Sequence, residues 1–431
     1  MKHLLFSAWL CCCFVIAIAQ PPKVNGAALK ESTPEAAGFS GERLARLDQF
    51  VNSYIQKGQL NGGVALILRD GKIAYYKAYG YNNVESKQPL QKDAIFRIAS
   101  QTKAITSVAV MMLFEEGKFL LDDPISNYIP EFKSPKVLDK FNAADSSYTT
   151  VPAKREITIR DLLTHTSGIG YAQIGSAEQN AIYYKNGVVG GIGVGQILLA
   201  DKMKILGKMP IFHQPGERFT YGLNTDVLGY LVEVVSGMPL DKFFSTRIFE
   251  PLGMKDTYFY LPKEKQSRLA NLYSEDSTGK AVMMSPIRQL NGEMIRDYPN
   301  MNGTYFSGGG GLSSTIYDYA IFLQMMLNGG TYNGKRLLSR NTVRMMTMNQ
   351  IGDISRGPNK FGLGFGVTTE KGSGVLPWNE DSFDWGGMFA TTYWVDPKEK
   401  LVGLFYRNIF PTRMAGFNEK YKVLVYQAIN D

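Results

Sequence analysis

The feature that most constrains the fold is a long, almost wholly apolar helix, predicted to run from Ser100 to about Glu116. Apolar residues recur there at helical spacing and also occupy the other faces, a pattern typical of a helix buried on all sides. Gly117 supplies a C-terminal stop. The sequence therefore predicts a buried helix around which the rest of the chain is organised.

The start of this helix carries a serine and a lysine three residues apart, Ser100 and Lys103. Residues at this spacing lie on one helix face, so the lysine ammonium can reach the serine hydroxyl. A hydroxyl is a poor nucleophile until a neighbour takes its proton, and a lysine does so only if burial or nearby positive charge lowers its pKa. The helix N-terminus supplies such a field and favours developing negative charge. The pair therefore fits an acyl-transfer site.

The spacing by itself does not decide the role of Ser100. Two fixed residues recur by chance, and the same spacing occurs at Ser277 and Lys280, in a run typical of a solvated turn. An N-cap serine followed by a surface lysine would look the same. The rest of the chain has to decide between the catalytic and the capping interpretation.

The N-terminus has the composition of a secretory signal peptide. Lys2 and His3 precede an almost wholly apolar run over residues 4–18, and Ala17-Ile18-Ala19 has the small-residue pattern of a signal-peptidase site. The run is too short for a membrane span. We therefore expect removal of residues 1–19, export to the periplasm or the medium, and no membrane span in the mature chain.

All three cysteines, Cys11, Cys12 and Cys13, lie inside this segment. A mature chain would then have no disulfide, no thiol nucleophile and no cysteine-bound metal. Trp9 and Leu10 stand where a lipid-attachment motif would have small residues, which speaks against a lipid anchor without ruling it out.

The charge and composition favour one globular enzyme-sized body. The net charge is +8, but the basic residues are scattered and form no run that would follow a nucleic-acid backbone, so we expect no nucleic-acid partner. The chain is 44% hydrophobic, and it has neither a Pro/Ser-rich linker nor an internal repeat. We expect a single domain over residues 20–431, and the oligomeric state stays open.

Secondary-structure signals occur at both ends of the chain. Residues 42–57 have the pattern of an amphipathic helix, and the apolar runs 64–68 and 73–79 are joined by Asp70-Gly71, a strong hairpin signal. A turn at residues 394–397 leads into a strand over Leu401–Tyr406, and residues 417–429 have the pattern of a closing helix. The middle, residues 126–283, is predicted to be mostly helical.

Five motifs occur in the order found in the serine β-lactamase and penicillin-binding-protein superfamily, which the chain resembles from about residue 35 to its C-terminus. They are Ser100-x-x-Lys103, Leu-Leu-Thr-His-Thr-Ser-Gly at residues 162–168, Pro215-Gly216 before Tyr221, Pro-Leu-Gly-Met at residues 251–254, and the glycine run 308–311 followed by Leu312.

The resemblance implies an α/β (α+β) fold with an antiparallel sheet flanked by helices, plus a mostly helical subdomain. The α/β part would comprise about residues 35–125 and 284–431, and the helical subdomain about 126–283. The N-terminal and C-terminal strands must then pair across the sequence. The active-site cleft would lie between the two parts.

The resemblance also implies three site elements. The first is the Ser100 and Lys103 pair. The second is a Tyr-x-Asn loop, in which Tyr221 matches but Leu223 stands at the asparagine position, so the role of the asparagine is not transferred to Asn224. The third is a strand motif, usually Lys-Thr-Gly or His-x-Gly, whose place is taken here by Trp385, Gly386 and Gly387, followed by Met388.

The expected mechanism follows from these matches. Ser100 attacks a substrate carbonyl while Lys103 and Tyr221 share the proton, and water then releases the acyl-enzyme with Tyr221 as base. The backbone N–H groups of Ser100 and Met388 would form the oxyanion hole. Trp385, Gly386 and Gly387 would line the substrate cleft.

The tryptophan in the third motif favours an esterase. A lysine or histidine would help to hold a substrate carboxylate, whereas Trp385 offers one N–H donor and a broad apolar face. The Trp-Gly-Gly version is similar to the carboxylesterase branch, which acts on esters of short acids. A β-lactamase, a D-alanyl-D-alanine carboxypeptidase or D-aminopeptidase, and a non-catalytic binding protein remain the alternatives, and Trp385 could also be a core aromatic.

Other catalytic classes have little support in the sequence. Apart from His3, the histidines are His165 and His213, which leaves few choices for a Ser-His-Asp triad and too few ligands for a zinc site. We expect His165 to have a packing or hydrogen-bonding role. The glycine-rich runs lack the Gly-Lys-Ser/Thr ending of a phosphate loop. We therefore expect no metal, no cofactor, and a small ester or amide as the substrate.

Overall fold

The computed structural model describes residues 28–284, 289–290, 293–294 and 298–430. The predicted signal peptide and the three cysteines lie outside the described residues. Among the residues that are described, no helix is both long enough and apolar enough to cross a membrane.

Short and long strands alternate with helices along the whole chain. The strands are β1 (Lys30–Glu31), β2 (Gly62–Arg69), β3 (Lys72–Asn83), β4 (Gln88–Pro89), β5 (Ile95–Arg97), β6 (Lys136–Phe141), β7 (Tyr148–Pro152), β8 (Tyr273–Glu275), β9 (Ala281–Met283), β10 (Gln289–Leu290), β11 (Glu293–Met294), β12 (Ser313–Thr315), β13 (Thr331–Tyr332), β14 (Lys335–Arg336), β15 (Lys360–Phe361), β16 (Gly366–Val367), β17 (Phe383–Gly386), β18 (Thr392–Asp396) and β19 (Leu401–Tyr406). The α-helices are α1 (Gly41–Gln56), α2 (Thr102–Glu115), α3 (Ile159–Leu163), α4 (Ala177–Lys185), α5 (Leu199–Gly207), α6 (Asn224–Ser236), α7 (Leu240–Phe244), α8 (Glu250–Leu252), α9 (Ile316–Leu327), α10 (Arg340–Met346), α11 (Glu370–Ser373) and α12 (Phe417–Tyr426).

A nine-stranded sheet joins the two ends of the chain. Its order is β1-β3-β2-β19-β18-β17-β16-β15, with β4 paired to β3, and every pair except β1 with β3 is antiparallel. Strand β2 lies beside β19, with Val64 opposite Tyr406. The predicted pairing of N-terminal with C-terminal strands is therefore confirmed, and it brings β17 into the same sheet as the hairpin.

The β2–β3 hairpin forms where the sequence predicts it. Asp70 and Gly71 have φ values of 50° and 74°. Two consecutive positive φ values belong to the tight turn whose twist matches that of paired strands, which explains the Asp-Gly pair. The strands themselves extend beyond the predicted runs.

Helices cover both faces of the sheet. On one face α1 and α12 pack through a cluster that includes Leu47, Val51, Phe405, Phe417 and Tyr421. On the other face α2 and α9 belong to the larger core cluster. This arrangement of a mixed sheet flanked by helices is the predicted fold class.

Helix α2 is as buried as its composition indicates, since every residue from Thr102 to Leu113 is buried. Gly117 ends the helix with φ 71°, and its N–H donates to the Phe114 carbonyl. The start differs from the prediction, because Ser100 lies in a 3₁₀ turn over Ala99–Gln101 and the α-helix begins at Thr102. The tighter turn places the serine at the edge of the helix instead of within it.

The middle of the chain, residues 126–283, contains α3 to α8 and also two short hairpins, β6–β7 and β8–β9. The second Ser-x-x-Lys match, Ser277 to Lys280, lies in the turn between β8 and β9. There the Asp276 carboxylate accepts hydrogen bonds from the N–H groups of Thr278 and Lys280.

One predicted boundary near the C-terminus was wrong: Trp394 and Val395 lie in strand β18 and not in a turn.

Strand β19 links the two ends of the chain, so its packing should control the stability of the whole sheet. We expect Leu404→Ala, at a fully buried position, to lower the free energy of unfolding by about 2–5 kcal/mol, because the cavity adds to the lost burial. Urea unfolding followed by circular dichroism measures this. Val423→Ala on the exposed side of α12 is the control, with an expected change within about 0.5 kcal/mol. Equal losses in the two variants would contradict the prediction.

Candidate active site

The Lys103 ammonium is enclosed by three hydrogen-bond acceptors. Lys103 is 2% exposed, and its Nζ lies 3.4 Å from Ser100 Oγ, 2.9 Å from the Tyr171 hydroxyl oxygen and 2.5 Å from the Gly309 carbonyl oxygen. An ammonium group has three N–H donors and no acceptor, so each of its hydrogens has a partner. The one-turn spacing of Ser100 and Lys103 therefore brings the two side chains together, as predicted.

The glycine run 308–311 lies against Lys103 because hydrogen bonds join it and the following Leu312 to α2. Thr106 Oγ1 donates to the Gly308 carbonyl at 2.7 Å, and the Leu312 N–H donates to Thr102 Oγ1 at 3.0 Å. A Cβ at Gly309 would overlap the carboxylate of Asp226. The run must therefore be glycine at this point for the backbone to approach both the lysine and the carboxylate.

The pKa of Lys103 lies above its ordinary value. Burial acts to lower this pKa, but the Tyr171 and Tyr221 phenol groups and the Asp226 carboxylate outweigh burial by favouring the charged form. The ammonium is also 4.7 Å from the centre of the Tyr221 ring, which is a favourable position for a cation. These contacts favour the charged form of Lys103, which is therefore described as a buried cation.

Asp226 lies near this cation without touching it. The side chain is 1% exposed, and its Oδ1 accepts a hydrogen bond from Ser307 Oγ at 2.5 Å. Burial raises the pKa of Asp226, whereas Lys103, the Ser307 hydroxyl and the Gly309 N–H act to lower it. The carboxylate belongs to the first turn of α6, which also favours negative charge.

Tyr221 and Trp385 meet beside the lysine. The Trp385 Nε1–H donates to the Tyr221 hydroxyl oxygen at 3.4 Å, and the two ring centres are 5.6 Å apart. Tyr171 stands on another side of Tyr221, with ring centres also 5.6 Å apart. Four side chains named from the sequence, those of Ser100, Lys103, Tyr221 and Trp385, therefore lie in one place.

The end of strand β17 packs against the segment that leads into Ser100. A Cβ at Gly387 would overlap the Ile98 carbonyl oxygen, and the Gly387 N–H donates to the Thr391 carbonyl at 2.8 Å. The next residue, Met388, donates its backbone N–H to no acceptor among the described residues. This geometry is consistent with the predicted oxyanion hole, whose two N–H groups stay a prediction.

His165 packs against the Tyr221 ring and is itself held by Asn224. The His165 ring centre is 4.8 Å from that of Tyr221, and its Nδ1 accepts hydrogen bonds from the Asn224 amide at 2.9 Å and from the Gly222 N–H at 3.4 Å. Asn224 is fully buried and also bonds to Ser167. Burial, and after it the charges of Lys103 and Arg356, lower the pKa of His165 well below its ordinary value. These contacts agree with a hydrogen-bonding role for His165.

The sequence reasoning missed three groups that contact or influence Lys103, namely Tyr171, Asp226 and the Gly309 carbonyl. Tyr171 is 8% exposed, and its pKa is raised by burial, although Lys103 acts to lower it. The available signal was its place three residues after the 162–168 motif. Asp226 offered a weaker signal, as a charged residue five positions after Tyr221 in an apolar helix. Among the described residues, no group of three or more His, Cys, Asp or Glu side chains could hold a metal ion.

The β-lactamase family model matches residues 47–427 of the chain. The chain is 30% identical over 395 residues to esterase EstB of Burkholderia gladioli. The aligned residues cover 89% of this chain and 95% of EstB. It is 32% identical over 360 residues to a putative D-alanyl-D-alanine carboxypeptidase of Escherichia coli strain K12, covering 79% and 75% of the two chains. The solved structure of EstCE1, a hydrolase with promiscuous acyltransferase activity, superposes with a TM-score of 0.76 at 25% identity and covers 89% of this chain and 99% of that one.

The fold and these similarities define a hydrolase of the β-lactamase fold. The chain belongs to the β-lactamase family, as its ordered motifs predict, and among its relatives are proteins named as esterases and as a putative carboxypeptidase.

The neutral state of His165 should make stability depend on pH. Its pKa is lowered in the folded protein, so below about pH 6.5 the unfolded chain binds the extra proton and stability falls as pH falls. One such group contributes at most about 1.4 kcal/mol per pH unit. We expect His165→Gln to flatten the fall in unfolding free energy between pH 7 and pH 5, as measured by urea unfolding.

The comparison variant is His213→Gln. The pKa of His213 is lowered too, by burial, but that side chain is less enclosed, so its removal should change the slope less. A wild-type stability that does not fall over this pH range, or a slope that His165→Gln leaves intact, would contradict a neutral His165.

Proposed function

We propose that the protein is an exported serine hydrolase that acts through an acyl-Ser100 intermediate and cleaves esters of short acids. The observation that carries the ester preference is the contact of Trp385 with Tyr221, because the third-motif position next to the nucleophile holds an indole instead of a cationic side chain. The similarity to EstB, which is named as an esterase, supports an ester as the substrate, and the similarity to EstCE1, a hydrolase with promiscuous acyltransferase activity, supports acyl transfer.

In this mechanism Tyr221 acts as its phenolate: Ser100 Oγ attacks the ester carbonyl and gives its proton to the Tyr221 oxygen, which becomes the neutral phenol. The Lys103 ammonium donates toward Ser100 Oγ and lies 4.7 Å from the centre of the Tyr221 ring, so a positive charge stands beside both groups that exchange the proton. Tyr221 then protonates the leaving alcohol, and the same tyrosine activates the water that releases the acid.

The tetrahedral oxyanion would be bound by the backbone N–H groups of Ser100 and Met388. Such donors are held in place by the fold before the reaction starts, and the loss of one typically costs about 10²–10³ in rate. The packing of Gly387 against Ile98 supports this role, since it sets the distance between the two segments that carry the N–H groups.

A β-lactamase or D-alanyl-D-alanine peptidase activity is the second candidate. It is favoured by the similarity to the putative carboxypeptidase of Escherichia coli and by the same Ser100 and Lys103 geometry. A non-catalytic binding protein has less support, because binding alone requires no buried cation beside a serine hydroxyl.

The decisive assay compares p-nitrophenyl acetate and butyrate with nitrocefin, using wild-type protein and Ser100→Ala. We expect turnover of the esters that falls by at least about 10³-fold in Ser100→Ala, since removal of the nucleophile stops acylation. Turnover of nitrocefin should be much slower than that of the esters. Ester hydrolysis that survives in Ser100→Ala would refute the acyl-Ser100 mechanism, and faster lactam turnover would favour the second candidate.

Two tyrosine variants separate the base from its neighbour. We expect Tyr221→Phe to lower kcat for p-nitrophenyl butyrate by about 10²–10⁴-fold, the usual contribution of a general base. Tyr171→Phe removes one hydrogen bond to Lys103 and leaves Tyr221 in place, so the loss should be smaller. A larger loss in Tyr171→Phe than in Tyr221→Phe would transfer the role of base to Tyr171.

A further inference from the structure

Arg356 stacks on the indole that occupies the third motif. It lies in the loop between α10 and β15, and its guanidinium carbon is 5.1 Å from the ring centre of Trp385, 5.3 Å from that of Phe361 and 5.5 Å from that of Phe219. Three aromatic rings therefore fix the position of this cation beside Trp385.

The Arg356 guanidinium has more N–H donors than hydrogen-bond acceptors around it among the described residues. Within the described part of the chain, no carboxylate oxygen lies within 4 Å of Arg356, and its Nη1 donates a hydrogen bond to the Lys360 carbonyl at 3.1 Å. A guanidinium has five N–H donors in a planar fork that matches a carboxylate. Burial lowers the pKa of Arg356 and the charge of Asp384 partly opposes this effect, so the group remains a cation at neutral pH.

Arg356 also faces a cavity of about 510 Å³ at the end of strand β17, whose wall includes Trp385, Gly386 and Met388. Three cations and two carboxylates line it, namely Arg356, Arg407, Lys422, Asp384 and Glu419.

Each of the three cations has an opposing charge near it, but among these lining residues only Lys422 contacts a carboxylate directly. Lys422 Nζ lies 3.2 Å from the Asp384 carboxylate, and Arg407 bonds to the Asn418 side-chain oxygen at 3.0 Å and feels the charge of Glu419. The cavity wall thus carries one more cation than carboxylate, and Arg356 is the cation that stacks on Trp385.

We propose that this cavity is a subsite for an acidic group of the substrate, and that Arg356 binds that group as a carboxylate. The proposal rests on the proposed function and narrows it to esters that carry one carboxylate, either on the acyl group or on the leaving group. The positive charge absent from the third motif would thus be supplied by a neighbouring loop.

A purely structural role for Arg356 predicts a different result. If its guanidinium only holds the loop against the three rings, removal of its charge will affect neutral and charged substrates alike. If it binds a carboxylate, the effect will be confined to substrates that carry one. Pairs of esters that differ in one charge therefore test the proposal.

The kinetic test uses two such pairs. The mono-p-nitrophenyl ester of adipic acid is compared with that of adipamic acid, which places the charge on the acyl side, and 4-acetoxybenzoate is compared with 4-acetoxybenzamide, which places it on the leaving group. We expect the wild-type protein to prefer the charged member of at least one pair. In Arg356→Gln the kcat/KM for that member should fall by about 10- to 100-fold, as for the loss of a charged hydrogen bond, while its neutral twin changes little.

Two variants control for charge and for folding. Arg344→Gln removes the same charge from the exposed side of α10 and should leave the preference unchanged. Arg356→Lys keeps the charge without the fork and should restore part of the preference. A wild-type protein without preference in either pair, or an equal loss for both twins in Arg356→Gln, would overturn the proposal.

A binding measurement separates this proposal from the proposed function. Ser100→Ala protein is titrated with monomethyl adipate and with methyl adipamate by isothermal titration calorimetry, which requires no turnover. We expect tighter binding of the charged ester, weakened in the Ser100→Ala, Arg356→Gln double variant and at high salt. Equal affinity for the two esters would refute the subsite even if the protein is an esterase. Tighter binding of the charged ester without Ser100-dependent turnover would refute the esterase alone.

Discussion

The buried ammonium of Lys103 is the interaction on which the rest of the site depends. An unpaired charge in a protein interior costs several kcal/mol, so it must be compensated where it stands. One acceptor, Ser100 Oγ, is local, but Tyr171 and Gly309 are 68 and 206 residues away along the chain. The lysine is therefore satisfied only when the middle segment and the glycine run have docked on α2. Formation of the core and assembly of the site are the same event.

The same arrangement decides how protons can move. An ammonium with three acceptors and a raised pKa is a poor base, and its lasting contribution is a positive charge next to a serine and two tyrosines. Tyr171 directs its oxygen to the ammonium, whereas the Tyr221 oxygen accepts from Trp385 and the Tyr221 ring lies beside the cation. A neutral His165 behind Tyr221 adds no second positive charge. On the proposed mechanism, Tyr171 holds the ammonium in place and Tyr221 is the group that exchanges protons with the substrate.

Much of the fold and part of the site could be predicted because their signals are local. The Asp70-Gly71 turn, the all-round apolar pattern of α2 and the spacing of Ser100 and Lys103 each depend on a few neighbouring residues. Trp385 could be placed only by the order of motifs. Tyr171, Asp226 and Arg356 have no periodic pattern of their own, and their roles arise from contacts between distant segments. Asp226 even has the sequence context of an ordinary first-turn helix acid, since burial near a cation cannot be seen from its neighbours.

The third motif shows how a change of residue type can change where a positive charge lies relative to Ser100. A lysine on β17 would place its charge on the strand that borders Ser100, whereas here the indole of Trp385 contacts Tyr221 on one side and the guanidinium of Arg356 on another. The ring of Trp385 thus contacts both Tyr221 and Arg356. On the proposed subsite, the Trp385 ring would lie between Tyr221 and a carboxylate bound by Arg356. Such a site would favour an ester whose acid group is carried on a flexible chain over one whose acid group is fixed close to the carbonyl. The apolar third motif and the nearby cation would then act together in the choice of substrate.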